Sequence, residues 1–248
     1  MELKLISFNI RCCDDKDGNS IIERAPRLAE ITDKYDADII GFQEYSVPWE
    51  EQIANFYPKY DMFLKYRSVN QLEAAPILWK RDKFELLDKG YFWLSDTPEV
   101  ESRGWDEIYN CWRMCQYVTL RHIESGTIFT HINTHYGFGN KGQIDSSKLI
   151  YEYSKKITKH PTFITGDFNM CPTSPGYAEM VKHFFDVNEL TAKERRTTYH
   201  GYGKVDNKHI DFCFIDDKIV PNSFKLIDET IDGKYPTDHY GLYIELRI

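Results

Sequence analysis

Phe163-Ile164-Thr165-Gly166-Asp167-Phe168-Asn169 decides how the rest of this chain is read. Apolar residues run into a glycine, and the chain then presents a carboxylate and a carboxamide on alternate positions, Asp167 and Asn169. Side chains at i and i+2 of a strand point to the same side. A strand that continues past Gly166 therefore aims both groups into one pocket at its carboxyl end. Such an end can hold a hard cation, a water or a phosphate oxygen. Gly, Asp and Asn also favour an Asx-type turn for local reasons, and on this stretch alone the turn is the better reading.

Working outward, the same event recurs. Asp38-Ile39-Ile40-Gly41-Phe42-Gln43-Glu44 is a buried strand pattern that ends abruptly in a carboxylate. Burying Glu44 unpartnered is costly, so it is expected to be exposed, paired or metal-bound. Residues 3–8 read as a strand that ends in Asn9-Ile10-Arg11, and 128–134 as a strand that ends at Asn133-Thr134-His135. Asp211 lies near the start of a strand over 209–215, and Asp238-His239 leads into the last strand, 242–246. Further strands are predicted over 59–66, 75–79, 84–93, 114–123 and 220–227, a series that suggests a partly antiparallel sheet. Helical spacing predicts helices over 21–35, 49–56 and 143–158 and a short one near 177–183. The first has Pro26 near its start and Ile22, Leu28 and Ile31 sharing a face; the third turns Ile144, Leu149, Ile150, Tyr153 and Ile157 inward. The irregular stretch 94–110 is long enough to suggest a functional loop, whereas Asp14-Asp15-Lys16-Asp17-Gly18-Asn19 lacks the spacing of a calcium loop.

The 248 residues fit one domain spanning 1–248, and 17 Tyr with 15 Phe favour strands. No run approaches a membrane span, and the start of the chain enters a strand pattern without a charged-then-apolar leader. Six cysteines fit neither a zinc spacing nor a dense disulfide framework. A monomer in a reducing cytoplasm is the expectation. The formal net charge of -8 argues against a broad basic surface for long nucleic acid.

Any one strand-end Asn, Glu or His has an ordinary explanation as a turn, rim or core residue; the set does not. Ile6-Ser7-Phe8-Asn9-Ile10-Arg11, Ala37 through Glu44, Ile132-Asn133-Thr134-His135, Thr165-Gly166-Asp167-Phe168-Asn169, His209-Ile210-Asp211-Phe212 and Thr237-Asp238-His239-Tyr240-Gly241-Leu242 occur in this order over nearly the whole chain. In order and context they resemble the endonuclease/exonuclease/phosphatase superfamily, which includes pancreatic-type DNases, abasic-site endonucleases, deadenylases, inositol polyphosphate 5-phosphatases and neutral sphingomyelinases. The resemblance implies the DNase I-like fold, a two-sheet α/β sandwich with helices on the outer faces. It also implies hydrolysis of a phosphate ester with Mg²⁺ or Mn²⁺, which agrees with the need to neutralise an anionic phosphate.

Carried over position by position, the resemblance makes Glu44 the main metal ligand, with Asn9 beside it and Asp238 binding directly or through water. Asp167 would orient or deprotonate the attacking water, and Asn169 would contact a phosphate oxygen. His239 would bond the phosphate or share in proton transfer, its ring held by Asp211, and His135 is the second imidazole. Many relatives continue the His135 motif with Leu-Asp-His, where this chain has Tyr136-Gly137-Phe138-Gly139. The exchange removes polar groups and adds aromatic surface. Residues 91–95, 104–105, 111–113 and 198–201 look like a bacterial branch of the superfamily. Within them Arg113 is expected to clamp a phosphate. Trp105, Trp112 and Tyr136 are expected either to stack on a base or sugar or to pack the loop. The leading expectation is a phosphodiesterase or nuclease acting on a nucleic acid or nucleotide. Its alternatives are a phosphatase on a small or lipid-linked ester, or a silent binding protein of the same fold.

Overall fold

The computed structural model describes residues 1–192 and 194–248. In chain order it runs β1 (Glu2–Asn9), α1 (Ile21–Tyr35), β2 (Ile39–Gln43), β3 (Tyr45–Ser46), α2 (Trp49–Phe56), β4 (Tyr60–Phe63), β5 (Glu73–Ala74), β6 (Ile77–Lys80), β7 (Phe84–Trp93) and β8 (Met114–His122). It continues with β9 (Ile128–His135), α3 (Asn140–Ile157), β10 (Thr162–Asp167), α4 (Pro175–Met180), β11 (Phe185–Asp186), α5 (Val187–Thr191), β12 (Asp211–Ile215), β13 (Val220–Ile227) and β14 (Gly241–Arg247). Two six-stranded sheets form, ordered β13-β14-β1-β2-β6-β4 and β11-β12-β10-β9-β8-β7, with β3 and β5 as a separate pair. Each sheet mixes parallel and antiparallel pairs: β1 runs parallel to β2 and β9 to β10, while hairpin partners such as β7 and β8 run antiparallel. Among the described residues no helix is long and apolar enough to cross a membrane.

Three apolar clusters explain the layering. Leu3, Leu5, Ile39, Ile77, Phe129, Phe163, Ile215 and Ile244 come from both sheets and fill the space between them. Ile21, Leu28, Ile31, Trp49 and Ile53 cover the outer face of the first sheet with α1 and α2, and Ile150, Met180 and Phe184 help α3 and α4 cover the second. The α1 face differs from expectation: Ile22 is 72% exposed, and Ile21, Ala25, Leu28 and Ile31 turn inward. Spacings of three and four keep residues on one side of a helix, and the step of six from Ile22 to Leu28 does not. Pro26 lies inside α1 and not at its start, where a Ser20–Glu23 capping box is found instead. The inward face of α3 is also corrected. It is Gly142, Gln143, Ser146, Ser147, Ile150 and Ser154; of the residues expected there only Ile150 is fully buried. Small side chains let α3 approach closely, with Ser147 Oγ donating to the Gly176 carbonyl at 3.2 Å.

Beyond its apolar half, the layer between the sheets turns polar. Asn133 Oδ1 accepts from Gln43 Nε2 (2.8 Å) and Thr165 Oγ1 (3.0 Å), Gln43 Nε2 also donates to Ser7 Oγ (3.1 Å), and Thr165 Oγ1 pairs with His131 Nε2 (2.7 Å). The Asn133 amide donates to the carbonyls of Phe42, Ala75 and Pro76, the edge at which the first sheet stops pairing. A side chain at Gly41 would meet Asn133 and Thr165 at 2.9 Å, so only glycine leaves room for this crossing. All five polar residues are buried and interlocked, as burial of polar groups requires.

Candidate active site

Two residues beyond each polar position the strand ends on a pocket. Ser7 is followed by Asn9, Asn133 by His135 and Thr165 by Asp167, each pair on one face of its strand. Glu44 follows Gln43 directly and reaches the same place by a left-handed turn, with φ 58°. Arg11 (φ 62°) and Asn169 (φ 48°) adopt the same conformation. Non-glycine residues held this way cost free energy and concentrate at functional sites. The Asx turn expected after Gly166 is present, with Asn169 N–H donating to Asp167 Oδ1 at 2.9 Å. The strand ends at Asp167, and the turn itself delivers Asn169 to the pocket lining.

The pocket is a cavity of about 460 Å³ whose lining includes Glu44, His135, Asp167, Asn169, Asp238 and His239. Asn9 lies beneath it and bridges the sheets, donating to Glu44 Oε1 (3.1 Å) and Asp167 Oδ2 (3.0 Å). Glu44 Oε2 accepts from the Cys12 N–H (3.0 Å). His239 Nδ1 bonds Asp211 Oδ2 at 2.9 Å, and its Nε2 lies 3.7 Å from Asp167 Oδ2. His135 Nε2 lies 3.6 Å from the same oxygen. The eight residues Asn9, Glu44, His135, Asp167, Asn169, Asp211, Asp238 and His239 thus converge from both sheets.

Charge is distributed unevenly. Burial lowers the pKa of His239, but Asp211, Asp167 and Asp238 outweigh it and raise the group from 6.5 to about 10, so this ring is an imidazolium at neutral pH. His135 goes the other way, to about 3, through burial and the nearby Arg113, and stays neutral. Burial and repulsion from Asp211 raise the Asp167 pKa. Burial and repulsion from Glu73 oppose the charge on Glu44, yet its pKa is lowered; the Cys12 N–H and the His239 imidazolium favour the carboxylate.

Of the residues expected either to meet substrate or to pack the loop, Tyr136 is corrected as a stacking group, and the others fall in different places. Tyr136 is fully buried and its hydroxyl lies 3.3 Å from Ser147 Oγ, so it packs the core below the pocket and offers no face to a ligand. Trp112 lies outside the pocket lining, with the Arg103 guanidinium over its ring at 4.7 Å. Trp105 is half-buried, and its Nε1 donates to Asp96. Arg113 does line the pocket, but Nε and Nη2 are held by Asp106 at 3.2 and 3.1 Å. The Asn169 amide donates to the Tyr136 carbonyl and faces His135 Nε2, both at 3.0 Å, which leaves its oxygen for the pocket. Sequence reasoning missed Glu73, which lies 3.5 Å from His135 Nδ1 and 2.5 Å from Arg67 Nη1. Its signal was present: a carboxylate directly before the apolar run Ala74-Ala75-Pro76-Ile77.

The donor set suits a hard divalent cation, with carboxylate and amide oxygens and a surplus of negative charge. Asp211 is matched by His239, Glu73 by Arg67 and Asp106 by Arg113. Among the described residues Glu44 and Asp238 share only Arg11, at 3.9 Å each, and Arg11 is also bonded to Asp15. The ligand atoms of Asp167, Asp211 and His239 also lie within 4.8 Å of one another.

The model of the Endonuclease/Exonuclease/phosphatase family matches residues 6–239. The chain belongs to this family. Phosphate-ester hydrolysis is the family's chemistry, and the fold is the DNase I-like α/β sandwich. An endonuclease/exonuclease/phosphatase family protein of Bacteroides thetaiotaomicron superposes with a TM-score of 0.92 at 26% identity, covering 99% of this chain and 97% of that one. A mannosyl-6-phosphatase of the same organism gives 0.90 at 26% identity, with 99% and 100% covered. Danio rerio TDP2, complexed with a single-strand DNA product, shares the fold at 0.79 and 16% identity, with 100% and 99% covered. An uncharacterized protein of Acanthamoeba polyphaga mimivirus is 24% identical over 216 residues, covering 72% of this chain; the match spans 31% of that protein's length.

Proposed function

We propose that this family member is a divalent-metal-dependent hydrolase of small phosphate esters, with phosphomonoesters preferred over nucleic acid. The observation that carries it is the pocket itself. A 460 Å³ cavity is the size of a small-molecule site, and its arginines, Arg11 and Arg113, are already paired with the protein's own carboxylates. A long polyanion needs free cations along its path; among the described residues Lys208 is the one pocket cation without a carboxylate partner, and the chain's net charge is -8. The phosphodiesterase or nuclease expected first from the sequence is therefore the less well supported reading. Likeness to a mannosyl-6-phosphatase adds a sugar phosphate to the candidates.

In this reading Glu44 and Asp238 would hold Mg²⁺ or Mn²⁺, which supplies charge neutralisation at the phosphate when bound; Asn9, expected among the ligands, instead orients Glu44, since its amide nitrogen donates to that carboxylate and its oxygen accepts the Arg11 N–H. Asp167, its basicity raised by burial and by Asp211, accepts the proton of the attacking water. His239, charged and held by Asp211, donates to a phosphate oxygen. His135, neutral, is held between Glu73 and Asn169 and lies beside the same oxygen of Asp167. The test is hydrolysis of p-nitrophenyl phosphate, bis-p-nitrophenyl phosphate, a hexose 6-phosphate and single-stranded DNA with Mg²⁺, Mn²⁺ or EDTA. Metal-dependent cleavage of the monoesters, faster than of the diester or DNA, is expected. Preferred cleavage of diester or DNA would return the nuclease reading, and silence on every ester would leave the binding protein.

A further inference from the structure

The loop between β7 and β8 is pinned to the pocket in an unusual way. Leu94 N–H donates to the Arg113 carbonyl (2.8 Å), Gly104 N–H to Cys111 (3.0 Å) and Glu107 N–H to Phe138 (2.9 Å). Asp106, buried, accepts the N–H groups of Ile108 (3.0 Å) and Tyr109 (2.8 Å) through Oδ1 and binds Arg113 through Oδ2. Gly137 permits the contact, since a Cβ there would lie 2.8 Å from the Asp106 Cβ. Yet the apex of this fixed loop presents Ile108 and Tyr109, each 65% exposed. Tyr109 lines the pocket and meets Phe138, also in the lining, edge-on at 5.4 Å between ring centres. An aromatic pair whose backbone is fixed in advance binds at a smaller ordering cost.

We infer that Tyr109 and Phe138 form a leaving-group subsite that receives the carbon face of a ring-bearing alcohol, so that the natural ester is cyclic in its alcohol part. This rests on the reading of the pocket as a phosphate-ester site and names the class of ester it takes. Aromatic side chains supply area at little entropic cost and pack against flat apolar faces. A pyranose and a nucleoside both present such a face, whereas an open-chain alcohol does not. Tyr136-Gly137-Phe138-Gly139 then has a use: Phe138 builds the wall, and Gly137 admits the loop that brings Tyr109 to it.

The experiment compares kcat/KM for a hexose 6-phosphate, a nucleoside 5′-monophosphate and glycerol 3-phosphate in the parent protein, Tyr109→Ala and Tyr109→Phe with Mn²⁺. The ratio of ring ester to glycerol ester should fall about tenfold in Tyr109→Ala, through KM, and stay near the parent value in Tyr109→Phe. Whichever ring ester shows the larger fall identifies the source of the ring. An unchanged ratio in Tyr109→Ala overturns the subsite even if every ester is hydrolysed. If no ester is turned over, the hydrolase reading fails separately, and calorimetric binding of the same esters decides the subsite. Ring esters bound more tightly than glycerol 3-phosphate by the parent but not by Tyr109→Ala support it; equal or absent binding overturns it.

Discussion

The two halves of the layer between the sheets are built on the same strands and obey different rules. Along β1 the inward positions read Leu3, Leu5, Ser7, Asn9; along β9, Phe129, His131, Asn133, His135; along β10, Phe163, Thr165, Asp167. Each strand begins apolar, passes through the hydrogen-bonded layer and ends at the pocket. In the apolar half the sheets adhere by area, which is tolerant of small shifts in position. In the polar half they are joined by directed bonds between named atoms, which fix how far apart β2 and β10 stand. The lesson is that the same sandwich separates holding together from holding in place.

The sharpest way to break that division is at its two ends. Asp167→Asn or His239→Ala should lower kcat by about a thousandfold, within the usual range for loss of a proton-transfer group. Calorimetry should show both folded with cooperative melting; rates near the parent would remove the assigned roles. Phe163→Ala at the other end should cost about 3–5 kcal/mol of stability. Chemical denaturation measures this, and the folded fraction should keep its turnover. A loss of turnover matching Asp167→Asn would erase the distinction between the halves.

A pH series sharpens it further. His131 is fully buried, and burial lowers its pKa from 6.5 to about 3. Between those values the unfolded chain takes up a proton that the folded chain refuses. The His131 contribution is therefore intact above pH 6.5 and is lost as pH falls towards 3, at about 1.4 kcal/mol per pH unit. Metal-free protein carrying His131→Gln should show that much less acid sensitivity than the parent, and parallel curves would place the titration elsewhere. The smallest effect is expected from Thr165→Val, which keeps shape and loses the bonds to His131 and Asn133 at a cost of about 1–3 kcal/mol. It should also raise the Mn²⁺ concentration for half-maximal rate, and Thr165→Ser should restore both.

Much of this was legible in the sequence because strand ends advertise themselves: Asp167 after Gly166, Glu44 after Gln43 and His135 after Thr134 mark the places where apolar patterning stops. The elements around them were also close to expectation, β7, α2 and β13 having the limits read from residue pattern. What could not be read was direction in space. The Asp167–Asn169 spacing suggested one face of a strand, whereas the same-face partner of Asp167 is Thr165, and Asn169 arrives by a turn. Trp105, Trp112 and Tyr136 read equally well as stacking or as packing groups. Only packing shows that Tyr136 is buried, whereas Tyr109, not singled out in the sequence, is 65% exposed at the pocket. Glu73 was passed over because its strand is two residues long and because His135, which it faces in the pocket, is remote in sequence.

The left-handed backbone at Arg11 and Glu44 has a bearing on protein engineering. Glycine at either position would relieve about 1 kcal/mol of steric strain while deleting a guanidinium or a carboxylate from the pocket. A screen that rewards heat resistance alone would drift towards those replacements and enrich sturdy, inert proteins. Libraries intended to toughen this protein while keeping its pocket intact should hold both codons fixed.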